Sequence, residues 1–206
     1  RPRGCSLISS RPYRQEPHTY TMPNTNSVDI EQYNRANFRA ALDALSRPGE
    51  RYLIRPLFSS PLLAMASVLL YGETSYFYEG KADFELVAAI SGAASRAATE
   101  ADYLFADAPE QALMEAARVG SGESPETGAT LIFLADAATS TQVRLTGPGI
   151  DGLKEISLPL SKACIEARQC KNAYFPLGID LLLLDTESKV LALPRTTAVE
   201  ILEVLS

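Results

Sequence analysis

The pattern of apolar and polar residues predicts helices in the first two thirds of the chain and mainly strands in the last third. From Asp29, apolar residues recur at helical spacing until the turn Ser46-Arg47-Pro48-Gly49 ends the helix. Asp29 and Gln32 resemble a capping box, so we place the helix start at Asp29. The apolar residues of this helix fall mostly on one face: Ile30, Tyr33, Phe38, Ala41, Leu42 and Leu45.

Further helices and strands follow before residue 120. Ser60 and Pro61 are typical of an N-cap and a first helical position, and they predict a helix that Gly72 ends. Residue type and spacing predict four more elements, namely strands over 74–78 and 103–105 and helices over 84–90 and 109–118.

The last third contains short apolar runs bounded by turn residues, as expected of strands. They cover 130–135, 142–146, 179–184 and 190–193, and a helix over 159–170 separates the first two from the last two. Connectors of about six and five residues fit two hairpins, which implies antiparallel pairing. We therefore predict an α/β fold with a mixed, partly antiparallel sheet flanked by helices.

The first 26 residues differ from the rest of the chain. Residues 1–26 hold four prolines and many serines and threonines without apolar periodicity, which predicts a disordered arm or a non-native extension. Residues 27–206 are expected to form a single α/β domain.

Composition and charge restrict the class of protein. A hydrophobic content of 46% with 21% charged residues is typical of a folded globular chain, and no apolar run reaches the length of a membrane-spanning helix. A net charge of -6 argues against binding to nucleic acid. Cys5, Cys164 and Cys170 are odd in number and match no disulfide framework, so we expect a cytoplasmic protein in which Cys164 and Cys170 are free thiols.

Common catalytic arrangements are missing from the sequence. His18 is the single histidine and lies in the predicted arm, so no Ser-His-Asp or Cys-His pair is available in the folded body. The two remaining cysteines do not make a zinc site, and the glycine-rich nucleotide motifs are absent. We therefore predict no catalytic residue, no metal and no cofactor for this chain.

Two patches could bind a ligand. Gly147 and Gly149 flank Pro148 in a tight turn that can cradle an anion, or that simply reverses the chain. If the second hairpin centres near Glu187, Asp180 faces Pro194 or Arg195. That pairing is either a structural ion pair, or part of a phosphate site in which Arg195 acts with Thr196 and Thr197 and Arg47 adds a second cation.

Five motifs in this order resemble the PhnH family, the H subunits of the bacterial carbon-phosphorus lyase complex. The resemblance covers roughly residues 29–199 and rests on Phe38-Arg39 with Leu42 to Gly49, Pro125 to Leu131, Leu145 to Ile150, Phe175 to Asp180 and Leu193 to Thr197. It implies a fold similar to that of pyridoxal-phosphate-dependent transferases without their cofactor site. The five lysines agree with that loss, because Lys81, Lys154, Lys162, Lys171 and Lys189 lie in predicted loops or helices.

The resemblance also implies a function. A family member acts with the G, I and J subunits in organophosphonate breakdown, and is a homodimer when isolated. The G, H and I proteins, with an ATP-binding-cassette-type L subunit, support transfer of ribose triphosphate from ATP to methylphosphonate with release of adenine. Three roles stay open for this chain, namely a scaffold or substrate-positioning subunit, a self-contained nucleotide or phosphate-ester enzyme using Arg47, Arg195 and the Gly147–Gly149 turn, and a purely structural dimer module.

Overall fold

The computed structural model describes residues 27–55, 58 and 60–203, so the predicted arm lies outside the described residues. Within them, the chain forms five α-helices: α1 Ser27–Ser46, α2 Pro61–Leu69, α3 Glu85–Ser91, α4 Gln111–Ala116 and α5 Lys162–Lys171. It also forms ten strands: β1 Arg51–Leu53, β2 Ser75–Glu79, β3 Ala94–Ser95, β4 Tyr103–Ala106, β5 Thr130–Leu134, β6 Thr141–Thr146, β7 Lys154–Leu158, β8 Asp180–Leu184, β9 Lys189–Leu193 and β10 Ala198–Ile201. The predicted helices and strands are present, and β1, β3, β7 and β10 are additional.

The strands are divided between two sheets. The larger has seven strands in the order β1-β9-β8-β5-β4-β2-β3, and the smaller has three in the order β10-β6-β7. In the large sheet, β3, β2, β4, β5 and β8 are parallel, and β9 runs antiparallel to both β8 and β1. The predicted mixed sheet is confirmed, although parallel pairing dominates it.

The large sheet lies between two layers. One face packs against α1, α2 and α3, and the other against α4, α5 and the small sheet. Successive residues of the central strand β5 point to opposite faces of the sheet. Leu131 and Phe133 pack in the core with α4 and α5, whereas Ile132 packs in the core with α1 and α2. A strand buried on both faces carries an unbroken apolar run, which is why 130–135 is so apolar.

The predicted hairpin between β5 and β6 is wrong. The burial of β6 alternates along the strand, so one of its faces is open to solvent, whereas the middle of β5 is buried throughout. β5 therefore pairs with parallel β4 and β8, and β6 pairs with β7 and β10 in the small sheet. Connector length alone did not distinguish a hairpin from a crossing between two sheets.

The apolar residues predicted for one face of α1 are only partly buried, since Ala41 is buried and Tyr33 and Leu45 are half-buried. The residues that face the core are mainly small, namely Asn37, Ala40, Ala41 and Ala44, whereas Ile30, Phe38 and Leu42 are exposed. Small side chains allow α1 to approach α2 and β9 closely. The Asn37 side chain accepts a 2.7 Å hydrogen bond from the Arg55 backbone N–H and donates one of 2.9 Å to the Arg55 carbonyl, so its burial is compensated.

The two predicted helix starts differ in outcome. α1 begins at Ser27, so Asp29 lies inside the helix and is not its N-cap. Ser60 does cap α2, because its side chain accepts a hydrogen bond from the Leu62 backbone N–H. None of the helices in the described ranges is long and apolar enough to cross a membrane.

The burial pattern predicts unequal costs for two phenylalanine substitutions. Phe133 is fully buried and Phe38 is 48% exposed. We expect Phe133→Ala to lower the free energy of unfolding by about 3–5 kcal/mol, because it leaves a cavity in the core. Phe38→Ala should cost less than about 1 kcal/mol. Urea unfolding followed by circular dichroism measures both, and equal losses would contradict this burial pattern.

Candidate functional site

The β8–β9 hairpin brings Asp180 and Arg195 together, as predicted. Leu181 lies opposite Leu193, which places Asp180 at the start of β8 next to the chain that leaves β9. The Arg195 guanidinium donates to Asp180 Oδ2 from Nη2 at 2.6 Å and from Nε at 3.1 Å. The Arg195 backbone N–H also donates to Asp180 Oδ1 at 2.6 Å. The predicted ion pair is confirmed.

Arg195 also connects this hairpin to a distant loop. Its Nη1 donates to the Pro125 carbonyl at 2.7 Å, and its Nη2 lies 3.4 Å from the Gly128 carbonyl oxygen. A Cβ atom at Gly128 would lie 2.8 Å from Nη1 and 2.4 Å from the Gly178 carbonyl oxygen, so only glycine allows this approach. All three guanidinium nitrogens therefore have partners in the protein, which favours the structural alternative for this pair.

The Gly147–Gly149 turn contacts two other parts of the chain. A Cβ at Gly147 would lie 2.8 Å from the Thr196 carbonyl oxygen, and one at Gly149 would lie 2.1 Å from the Ser46 carbonyl oxygen. Both glycines have positive φ, at 133° and 83°. Close packing and backbone conformation thus account for both glycines without a bound anion.

Arg47 does not lie beside Arg195, where a second cation of the predicted phosphate site would have to be. It follows α1, is exposed, and donates from Nη1 to the Tyr52 hydroxyl at 3.3 Å. It does not line the groove in which Arg195 lies. Of the predicted site residues, the structure groups Asp180, Arg195, Thr196, Thr197 and the Gly147 turn, and it leaves the Arg47 side chain apart.

Arg195, Thr196 and Thr197, together with Pro148 of the glycine turn, line a groove of about 480 Å³. We call it the Arg195 groove, and its walls are Pro148, Arg168, Gln169, Asn172, Phe175, Arg195, Thr196, Thr197, Ala198 and Val199. Thr196 is exposed at its surface, whereas Thr197 is buried. The Asn172 side chain fixes the start of β8, because it accepts a hydrogen bond from the Ile179 N–H and donates one to the Ile179 carbonyl, directly before Asp180.

Sequence reasoning missed Arg168, which lies on α5 and is only 2% exposed. Its guanidinium donates to the Pro194 carbonyl at 2.6 Å and to the Thr197 carbonyl at 3.2 Å. Burial lowers the pKa of Arg168 to about 10, and the nearby charge of Asp180 opposes that shift. The sequence did contain a signal, because Arg168 shares the buried side of α5 with Cys164 and Ile165. An arginine on a buried helix face needs hydrogen-bond partners, so it could have been recognised as a structural or functional residue.

The polar atoms around Arg168 are not all satisfied. Within the part of the chain that the structure describes, Arg168 Nε and Thr197 Oγ1 are buried without a hydrogen-bond partner. Arg168 and Arg195 carry two positive charges against the single negative charge of Asp180. The groove therefore has an excess of one positive charge, which favours an anion at its surface.

The ion pair predicts a clear loss of stability when its acid is removed. The Arg195 and Asp180 side chains are 14% and 20% exposed, so Asp180→Ala leaves a largely buried cation without its partner. We expect a cost of about 3–5 kcal/mol in the free energy of unfolding. Glu31→Ala is the matched control, because the Glu31–Arg35 pair on α1 is exposed and contributes about 0.5 kcal/mol or less. Urea unfolding that shows the same small loss for both variants would contradict a structural role for Asp180.

Comparison with known proteins assigns the chain to a family. Residues 27–200 match the family described as bacterial phosphonate metabolism protein (PhnH). A protein of Stutzerimonas stutzeri that is named as a C-P lyase subunit protein, HtxG, is 35% identical over 113 residues, which are 53% of this chain. The alignment covers 56% of that relative, so it spans little more than half of either protein. Because the family match extends from the start of α1 to β10, the chain belongs to the PhnH family of bacterial phosphonate metabolism proteins.

Proposed function

We propose that the chain is a subunit of a carbon-phosphorus lyase complex in organophosphonate catabolism. In this role it supports the transfer of ribose triphosphate from ATP to methylphosphonate, with release of adenine, without carrying out the chemistry itself. The observation that carries the proposal is the PhnH family match over residues 27–200. The relative named as a C-P lyase subunit protein supports it over a shorter length.

The contacts of the charged residues support a scaffold or positioning role. Arg195 bonds Asp180 and two loop carbonyls, and Arg168 bonds the carbonyls at the end of β9. A group that transfers protons or attacks a substrate must have free access to the reacting atoms. These side chains instead fix the shape of the Arg195 groove, so we assign them positioning roles.

The Arg195 groove is the surface that we propose for holding an anionic substrate or intermediate. The exposed Thr196 supplies a hydroxyl at its surface, Pro148 of the Gly147–Gly149 turn forms part of its wall, and the excess positive charge favours phosphonate or phosphate oxygens. Arg47 is not part of this proposed site, because it does not line the groove and its guanidinium donates to the Tyr52 hydroxyl.

We further propose the G, I and J subunits as partners, a cytoplasmic location, and a homodimer when the chain is isolated. The motifs shared with the family support these partners.

The large, mainly parallel sheet between two layers supports a relationship to pyridoxal-phosphate-dependent transferases. Lys154 and Lys189 lie on strands rather than in the loops or helices that we predicted, and each pairs with a glutamate.

The scaffold proposal predicts that the purified chain, given ATP and methylphosphonate, releases no adenine. Adding the companion G, I and L subunits should produce steady release, because they would supply the reacting groups that we do not assign to this chain. Chromatographic measurement of adenine over time tests both statements.

Arg195→Ala serves as the control in the same assay. In the assembled mixture this variant should reduce adenine release, because it loses the bonds to Asp180, Pro125 and Gly128 that shape the groove. Steady adenine release from the chain alone, abolished by Arg195→Ala, would overturn the scaffold role and favour a self-contained enzyme.

A further inference from the structure

The outer side of α1 carries apolar residues that the fold leaves uncovered. Phe38 and Leu42 are 48% and 47% exposed, and their four-residue spacing makes them neighbours on one side of the helix. The adjacent helix α2 contains no charged residue over Pro61–Leu69, and its Val68 and Leu69 are half-buried. An exposed apolar pair beside an uncharged helix is typical of an interaction surface.

Two charged residues lie on one flank of this apolar pair. Arg39 and Asp43 directly follow Phe38 and Leu42 in the sequence, so they too are four residues apart and share one side of α1. Arg39 is exposed and Asp43 is half-buried. Within the part of the chain that the structure describes, neither side chain forms an ion pair. Both charges are therefore available to a partner.

The order of these four residues is complementary to itself in an antiparallel pair of helices. When a two-fold axis passes beside Ala40, Phe38 of each copy meets Leu42 of the other. The same flanks of the two helices then face each other, so the long side chain of Arg39 reaches Asp43 of the other copy. In a parallel pair the charged flanks lie on opposite sides of the interface, and Arg39 and Asp43 of different copies do not meet.

We propose that two copies of this chain associate through α1 as an antiparallel helix pair. This interface rests on the homodimer proposed above and gives it a location. Each dimer contains two contacts between Phe38 and Leu42 and two ion pairs between Arg39 and Asp43. The net charge of -6 makes two copies repel each other, so an interface between them needs a local balance of charge, which these ion pairs supply. A single helix of 20 residues covers a small area, so we expect a dissociable dimer with a micromolar Kd.

Sedimentation equilibrium of the full chain measures the Kd of this dimer. Phe38→Glu should weaken association at least about tenfold, because it replaces two apolar contacts of the dimer with unpaired charges. Ile90→Glu is the matched control, since Ile90 is 73% exposed on α3, outside the proposed interface, and it should leave the Kd unchanged. Circular dichroism confirms that the variants fold.

A charge exchange between copies tests the antiparallel register. Arg39→Asp and Asp43→Arg should each weaken association about tenfold, because each change places like charges opposite each other twice in the dimer. Mixed in equal amounts, the two variants should associate about as tightly as the unmodified chain. One copy then carries two acids and the other two bases at these positions, so both ion pairs form again. Mixing cannot restore a pair that forms within one chain.

The possible results separate this interface from the homodimer itself. An unmodified chain that stays monomeric at several hundred micromolar would overturn both. A dimer that Phe38→Glu leaves intact, or two charge variants that mixing does not restore, would overturn the α1 interface and leave the homodimer standing. Adenine release by the assembled subunits is a separate measurement, so the proposed role in the complex does not depend on either result.

Discussion

The pairing of Asp180 with Arg195 determines how four separate segments meet. Asp180 begins β8, Arg195 follows β9, and the other donors of Arg195 reach the carbonyls of Pro125 and Gly128 far away in the chain. Arg168 then joins α5 to the same turn through Pro194 and Thr197. A largely desolvated carboxylate is costly unless it is paired, and this pairing compensates that cost while setting the position of every segment around the groove.

The cluster of Arg168, Arg195 and Asp180 has more positive than negative charge. Two guanidinium groups lie near the Asp180 carboxylate: Arg195 bonds it directly, and Arg168 is buried deeply enough that its pKa is lowered. Backbone carbonyls provide the hydrogen-bond partners of Arg168, and they satisfy its donors without neutralising its charge. The groove therefore keeps a positive character even though the chain as a whole carries a net charge of -6.

The two cavities lie at opposite ends of the same strand. β8 runs from Asp180 beside the Arg195 groove to Leu184 beside a second cavity of about 420 Å³, which is lined by residues that follow β4, β5 and β8; the strand spans about 13 Å for its five residues. The amino end of this strand is thus next to the Arg195–Asp180 pair, and the carboxyl end is next to the Arg51–Asp185 pair. The cavity at the carboxyl end combines residues that follow three different strands, because parallel strands place all their carboxyl ends at one edge.

The sequence by itself determined the elements that depend on local chemistry. Ser60 and Pro61 predicted the start of α2, and the apolar runs with a five-residue connector predicted the β8–β9 hairpin and hence the Asp180–Arg195 pair. Tertiary structure decided what no local pattern contains. Whether β6 extends the large sheet or belongs to a second sheet depends on which strands flank β5. The side of α1 that is buried depends on how closely this helix must approach β9. The Arg195 groove and the second cavity likewise combine residues distant in sequence, because burial and proximity are set only when the layers pack.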